Sequence, residues 1–303
     1  MTALTEGSRP SARVSRRRRW LWSRQRWPFT VAALVLLAIA LVWIYPLVWT
    51  AGASLKTQTG VFTTASNPFP ATLHWENYVR AWRDAQFGEY LLNTFIVTIA
   101  VVAITVVRTA MAGYVIARFA FLGRKVLVAV LVLTLFVPTG YTIIPVVEVS
   151  NQLHLLNSRW GMILALSGAA HVAEILLYVG YFRGIPKELE EAAVVDGAGF
   201  LTVFFRVMLP LAMPVTATVT LLTFLATWNN FFLPLTMLSS SKLYPLTVGI
   251  GLWSQLASSN NGGGQSLWNL IIIGSLVSIV PLIVAFLTLQ KYWQGGLSVG
   301  SLK

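Results

Sequence analysis

Six apolar runs dominate this chain, at approximately 29–50, 91–117, 126–147, 161–182, 215–237 and 269–289. Each holds 21 to 27 residues, and a helix of about 20 residues crosses the roughly 30 Å hydrocarbon core of a bilayer. A lone hydrophobic strand would leave its backbone groups unpaired in lipid, so each run predicts a helix. Charged residues make up 11% of the chain and the mean hydropathy is +0.71, whereas soluble domains carry about 25% charged residues. The expected fold class is therefore all-α integral membrane. A basic tail covers 1–28, six transmembrane helices fill 29–289, and a short tail covers 290–303.

Charge sets the expected orientation. Eight of the 22 basic residues lie in the first 28 positions, with Arg16 to Arg19 consecutive. Beside a membrane span, such a run reads as anchoring to anionic lipid rather than as an arm for nucleic acid. The first apolar run is too long for a typical signal peptide, and no small-residue cleavage site precedes Lys56, so an uncleaved anchor is expected. With the N-terminus inside, the inner segments hold 16 Lys and Arg and the outer segments five, Arg108 lying within a span. The positive-inside rule then places both termini, and the segment 183–214, in the cytoplasm. The outer segments are 51–90, 148–160 and 238–268. The last contains Ser239-Ser-Ser and Gly262-Gly-Gly and reads as flexible.

The segment 183–214 is acidic and glycine-punctuated between two apolar runs. Glu188, Glu190 and Glu191 follow Pro186 and suit the positive end of a short helix, with Leu189, Ala192 and Ala193 as its small apolar face. Asp196-Gly197 is a turn signal. Phe200, Phe204 and Val207 then recur at helical spacing, and Pro210 and Pro214 punctuate the return to the fifth run. A helix–turn–helix is expected, with a small-residue knob able to seat in a partner's groove.

These residues resemble the EAA loop of ATP-binding-cassette importer permeases. Glu191, Ala192 and Ala193 are followed at the family's spacing by Gly197 and then by Val207, Leu209 and Pro210, with valine where the pattern has isoleucine. The resemblance extends to Ser54-Leu55-Lys56, to Leu73-His-Trp-Glu-Asn77-Tyr78, to Gly113-Tyr-Val-Ile-Ala-Arg118-Phe and Gly123-Arg124, to Trp228-Asn229, and to the glycine-rich end from Gly295. These look like the carbohydrate-uptake branch, and like its second maltose-transporter-type permease. Asn230 stands where that branch has an acid, and Ser301-Leu302 departs from its usual ending. The resemblance implies a type I importer permease in a bacterial inner membrane. It also implies a second homologous permease, two copies of a cytoplasmic P-loop ATPase that hold the ATP and magnesium, and an extracytoplasmic solute-binding protein. Glu191, Ala192, Ala193, Asp196, Gly197, Leu209 and Pro210 would contact the ATPase. No cofactor is implied on this chain.

A charge near mid-membrane costs about 2.5–3.5 kcal/mol on insertion scales, so such residues face a cavity or a partner. Arg108 lies ten residues before Arg118, and Glu174 nine before Arg183. Similar depth in the second and fourth spans makes them a candidate ion pair. A sugar path needs amide or carboxylate groups for hydroxyls and an aromatic face for ring C–H groups. His171, Glu174, Trp228, Asn229 and Asn230 supply that chemistry, with Asn93 and Thr94 as weaker candidates. A Trp in a span is also ordinary packing, an Asn is also helix–helix glue, and His171 is equally a buried hydrogen-bonded residue or a proton relay.

Catalytic patterns are missing from the sequence. There is no G-x-x-x-x-G-K-[ST] phosphate loop. His74, His154 and His171 form no metal-ligand spacing, and the chain has no cysteine. The competing class is a secondary transporter that works without an ATPase and draws on protons through Glu174 and His171.

Overall fold

The computed structural model describes residues 26–84, 86–259 and 267–299. The basic tail 1–25, Gly262-Gly-Gly and Ser301-Leu302 lie outside them. All regular structure among the described residues is helical: α1 (Arg26–Ser54), α2 (Gln58–Thr63), α3 (Glu76–Asp84), α4 (Phe87–Arg118), α5 (Arg124–Thr134), α6 (Ile143–Gln152), α7 (Arg159–Gly168), α8 (Val172–Gly184), α9 (Glu188–Val195), α10 (Phe200–Leu211), α11 (Met213–Trp228), α12 (Phe232–Met237), α13 (Leu246–Ser259) and α14 (Leu267–Val299).

The first, second and sixth expected spans are continuous helices, and their apolar stretches Phe29–Ser54, Phe87–Arg118 and Leu267–Tyr292 are each long enough to cross a membrane. Pro46 and Pro281 stay inside their helices. The other three expected spans are interrupted helices. The run 161–182 divides into α7 and α8, bent by 52°. The run 215–237 ends its long helix at Trp228 and resumes as α12. The run 126–147 becomes α5, a turn through Pro138 and a short 3-10 turn Thr139–Thr142, and then α6. Proline disfavours helical backbone in the residue before it, so Val137-Pro138 stops α5 after 11 residues, about 16 Å of rise. By length and composition, three helices could cross, or five if each bent pair counts as one span. Two expected boundaries also shift. The outer segment 238–268 contains the 14-residue helix α13 packed on α14, and α14 itself runs past position 290 to Val299.

The core forms where α4 meets α8, α11 and α7. Along α4, Thr105, Thr109 and Gly113 are buried at four-residue intervals, a stripe of small side chains that lets a neighbouring backbone approach. Gly113 marks the closest approach. A Cβ there would lie 2.5 Å from Cβ of Tyr178 and 3.2 Å from the Ile175 carbonyl oxygen on α8. Gly113→Ala is expected to force α4 and α8 apart and destabilise the protein by about 1–3 kcal/mol, as overpacking does. The midpoint of thermal unfolding in detergent should fall accordingly, and an unchanged midpoint would contradict this packing.

At the opposite end of the molecule from Arg118, α3 and α14 are both tied to the end of α1. Asn77 Nδ2 donates to the carbonyls of Ser54 and Lys56, each at 3.0 Å, and Asn269 Nδ2 donates to Lys56 O at 3.0 Å. The buried Lys56 ammonium is held by the carbonyls of Thr64, at 2.8 Å, and of Asn67. Asn93 and Thr94 serve the same end of α4. Asn93 Nδ2 donates to Lys242 O at 2.8 Å and Tyr244 O at 3.1 Å, and Thr94 Oγ1 accepts from Leu246 N at 2.8 Å. Both side chains are buried and bonded to backbone.

Candidate functional site: a rooted loop and a cavity at three helix breaks

The segment 183–214 folds as the expected helix–turn–helix. Its turn is a Schellman cap: Ala198 N donates to Ala193 O and Gly197 N to Val194 O, both at 3.0 Å, with Gly197 at φ +84°. Glycine adopts that left-handed backbone without the Cβ penalty other residues meet. α10 includes a π turn at Phe204–Met208, which turns Phe204 and Met208 into the core. The helix then bends by 83° into α11, between Pro210 and Pro214.

The loop has a root and a knob. At the root, Tyr114 Oη donates to Glu190 Oε1 at 2.5 Å, and Arg118 Nε pairs with Glu190 Oε2 at 3.4 Å. Arg118 Nη2 donates to Ile185 O at 2.7 Å, so one guanidinium holds both the entry to the loop and its first helix. Their side chains are 6% (Arg118) and 19% (Glu190) exposed, which shields the pair from solvent screening. Tyr114 also packs against Phe119, Phe182, Phe200 and Phe204. Ala193, Ala198 and Leu209 lie against the cluster built from Tyr114, Tyr178, Phe182, Phe204 and Met208. The knob faces outward. Glu191, Ala192, Asp196, Gly197 and Pro210 are exposed, and Val195 is 86% exposed. Glu191, Val194 and Val195 border a recess of about 460 Å³ with Arg118, Lys187 and Glu190. Sequence reasoning picked out the knob and missed the root: Tyr114 and Arg118 were visible as a motif, but their partner Glu190 was not.

The solute-path candidates divide. A cavity of about 690 Å³ is lined by Gly140 and Thr142 at the first break, Ala169 and His171 at the second, and Asn229, Asn230 and Phe231 at the third. All three broken spans therefore open onto one space. Irregular backbone at membrane depth is tolerated where it lines such a cavity. His171 takes a left-handed backbone, φ 45°, and its Nε2 donates to Leu166 O at 3.0 Å. That fixes the hydrogen on Nε2 and turns Nδ1 toward Glu174 Oε1, 3.7 Å away. Asn229 Nδ2 donates to Leu225 O at 2.9 Å.

Trp228 does not reach this cavity. It is 1% exposed, stacks on Phe224, meets Phe95 edge to face, and donates from Nε1 to Ser278 O at 3.1 Å. Its role is packing α11 against α14. Glu174 also lies outside the cavity lining. The expected Arg108–Glu174 ion pair is absent among the described residues: Arg108 Nη2 instead donates to Ala169 O at 2.6 Å, capping the break after α7, and Glu174 faces His171.

Residues 109–297 match the family described as binding-protein-dependent transport system inner membrane component. The chain belongs to that family. It is 32% identical over 88% of its length to the diacetylchitobiose uptake system permease NgcG of Streptomyces coelicolor, of which it covers 87%. It is 31% identical over 78% of its length to the melibiose/raffinose/stachyose import permease MelC of Bacillus subtilis, covering 83% of that protein. Its fold resembles a chain in the crystal structure of a bacterial ABC transporter that imports the acidic polysaccharide alginate. The TM-score is 0.75, with 26% identity, 89% of this chain and 98% of that chain covered. The permease thus has the type I importer fold and is a multi-pass inner-membrane protein of the carbohydrate-uptake branch.

Proposed function

We propose that this permease passes a sugar or sugar derivative inward, driven by ATP that a separate cytoplasmic subunit hydrolyses. The observation that carries the mechanism is the loop's division into an exposed knob and a root fastened to α4. A subunit seated on Glu191, Ala192, Val195, Asp196 and Gly197 would move the root, and through Tyr114, Phe204 and Met208 the packed ends of α4, α8 and α11. The partners in this reading are a second homologous permease, two copies of a P-loop ATPase carrying the ATP and magnesium, and an extracytoplasmic binding protein. Both termini and the loop face the cytoplasm, following the distribution of Lys and Arg. The names of NgcG and MelC favour a saccharide.

In this reading the cavity at the three breaks is this chain's share of the solute path. His171, Asn229 and Asn230 offer groups for sugar hydroxyls, and Phe231 and Phe232 offer aromatic faces for ring C–H surface. Losing one hydrogen bond to the solute costs about 1–2 kcal/mol, or about tenfold in affinity. Asn229→Ala and His171→Ala should each raise the half-saturation concentration of uptake by that factor in proteoliposomes, with ATP hydrolysis retained. Trp228→Phe keeps most of the packing and should leave it unchanged. Uniform effects across the three variants would remove the cavity from the path.

A further inference from the structure

A groove of about 460 Å³ runs along α3, apart from the loop and from the three breaks. Val79, Trp82 and Arg83 of α3 form one wall, and Phe87 of α4 with Ile273 and Val277 of α14 form the other. α3 has three arcs rather than two. Asn77 and Ala81 are buried against the protein, Glu76, Arg80 and Arg83 form a polar arc, and Val79 and Trp82 form an apolar arc that is 51% and 59% exposed. A soluble amphipathic helix would present water with the polar arc alone, so the exposed apolar arc calls for a nonpolar neighbour.

By the distribution of Lys and Arg this helix belongs to an outer segment, next to the ends of three spans. Asn77 ties it to the end of α1, Asn269 joins the beginning of α14 to the same Lys56 carbonyl, and α4 begins directly after it. Ile273 and Val277 lie six and ten residues into α14, so the groove descends about 9–15 Å along a span. Arg83 lines the groove, and the Glu76 carboxylate on the same polar arc is engaged by His74 Nδ1 at 2.5 Å. An apolar trough running along a span, with an arginine and a Trp in its lining, has the chemistry to take the acyl chain and phosphate of a glycerophospholipid.

We infer that this groove holds one acyl chain of an anionic phospholipid whose phosphate is bound by Arg83. The test is native mass spectrometry of the permease purified in mild detergent, with equal amounts of dioleoyl phosphatidylglycerol and dioleoyl phosphatidylcholine added. The wild type should retain phosphatidylglycerol in preference. Arg83→Gln, at an exposed position, should lower that retention about tenfold, the ratio expected for one charge-assisted hydrogen bond. Ile273→Trp, which fills the trough and leaves the charge, should lower it comparably; if that variant fails to assemble, Arg83→Gln decides. Equal retention in wild type and Arg83→Gln, preference for phosphatidylcholine, or no retained lipid would overturn the assignment. So would a photo-crosslinker at Val79 that captures a protein subunit in the membrane instead of lipid.

Discussion

Arg118→Ala is expected to abolish most uptake while leaving ATP hydrolysis by the associated subunit intact. Removing the guanidinium strips the Glu190 carboxylate of its counter-charge and the Ile185 carbonyl of its donor in one step. Breaking a buried pair from one side costs about 3–5 kcal/mol. Glu190 keeps 19% exposure, so the lower end applies, and about 3 kcal/mol corresponds to more than a hundredfold in an equilibrium. The loop would still fold, held by its own cap and by Phe204 and Met208, but it would no longer move with α4. Tyr114→Phe removes one hydrogen bond and keeps the ring packing, so a loss of about 1 kcal/mol is expected. Arg118→Lys should fail nearly as badly as alanine, because one ammonium cannot span Glu190 and Ile185 as the planar fork does. Exchanging the charges between 118 and 190 should restore part of the uptake. Uptake and hydrolysis measured on the same proteoliposomes check all four variants. Wild-type uptake in Arg118→Ala would remove the root from the account.

The second large effect falls on Gly197. Nothing lies within 4 Å of a Cβ built there, so sterics with neighbours are irrelevant and the cost is conformational. At φ +84° a Cβ costs about 1–2 kcal/mol for alanine and more for a β-branched residue, whereas asparagine tolerates the left-handed region. Uptake should therefore fall in the order Gly, Asn, Ala, Val, with the valine variant losing about tenfold or more. The turn is exposed, so the amount of permease in the membrane should stay near wild type across the series. A ranking by side-chain volume instead would mean that the position meets a tight partner surface, and equal activity in all four would mean that the turn transmits nothing.

How much of this was legible differs between the two halves of the site. The knob was readable because its logic is local: an acidic first turn, small residues, then Asp-Gly, all within ten positions. The root was not, because Glu190 meets Tyr114 and Arg118 across 76 and 72 residues of chain, and spacing carries no information about such a contact. Proline positions such as Pro138 and Pro234 signal kinks, but which spans break is hidden for a related reason. Apolar composition predicts that a segment enters lipid, yet it does not distinguish a continuous helix from one interrupted over a polar cavity. The signals were small ones, Val137-Pro138, Gly168 before His171, and the Asn229-Asn230 pair, and only their convergence on one space gives them meaning. Trp228 misled in the opposite direction, since an aromatic beside two amides suggested a sugar platform and the ring instead packs between Phe95 and Phe224.

In the proposed mechanism, motion enters through the loop and solute moves as another chain hydrolyses ATP. The most direct measurement is uptake of labelled saccharides by proteoliposomes containing the permease and its co-purified subunits, with and without internal ATP and with a proton ionophore added. Uptake is expected to require ATP and to survive the ionophore. Uptake by the permease alone, independent of ATP and collapsing with the ionophore, would contradict it.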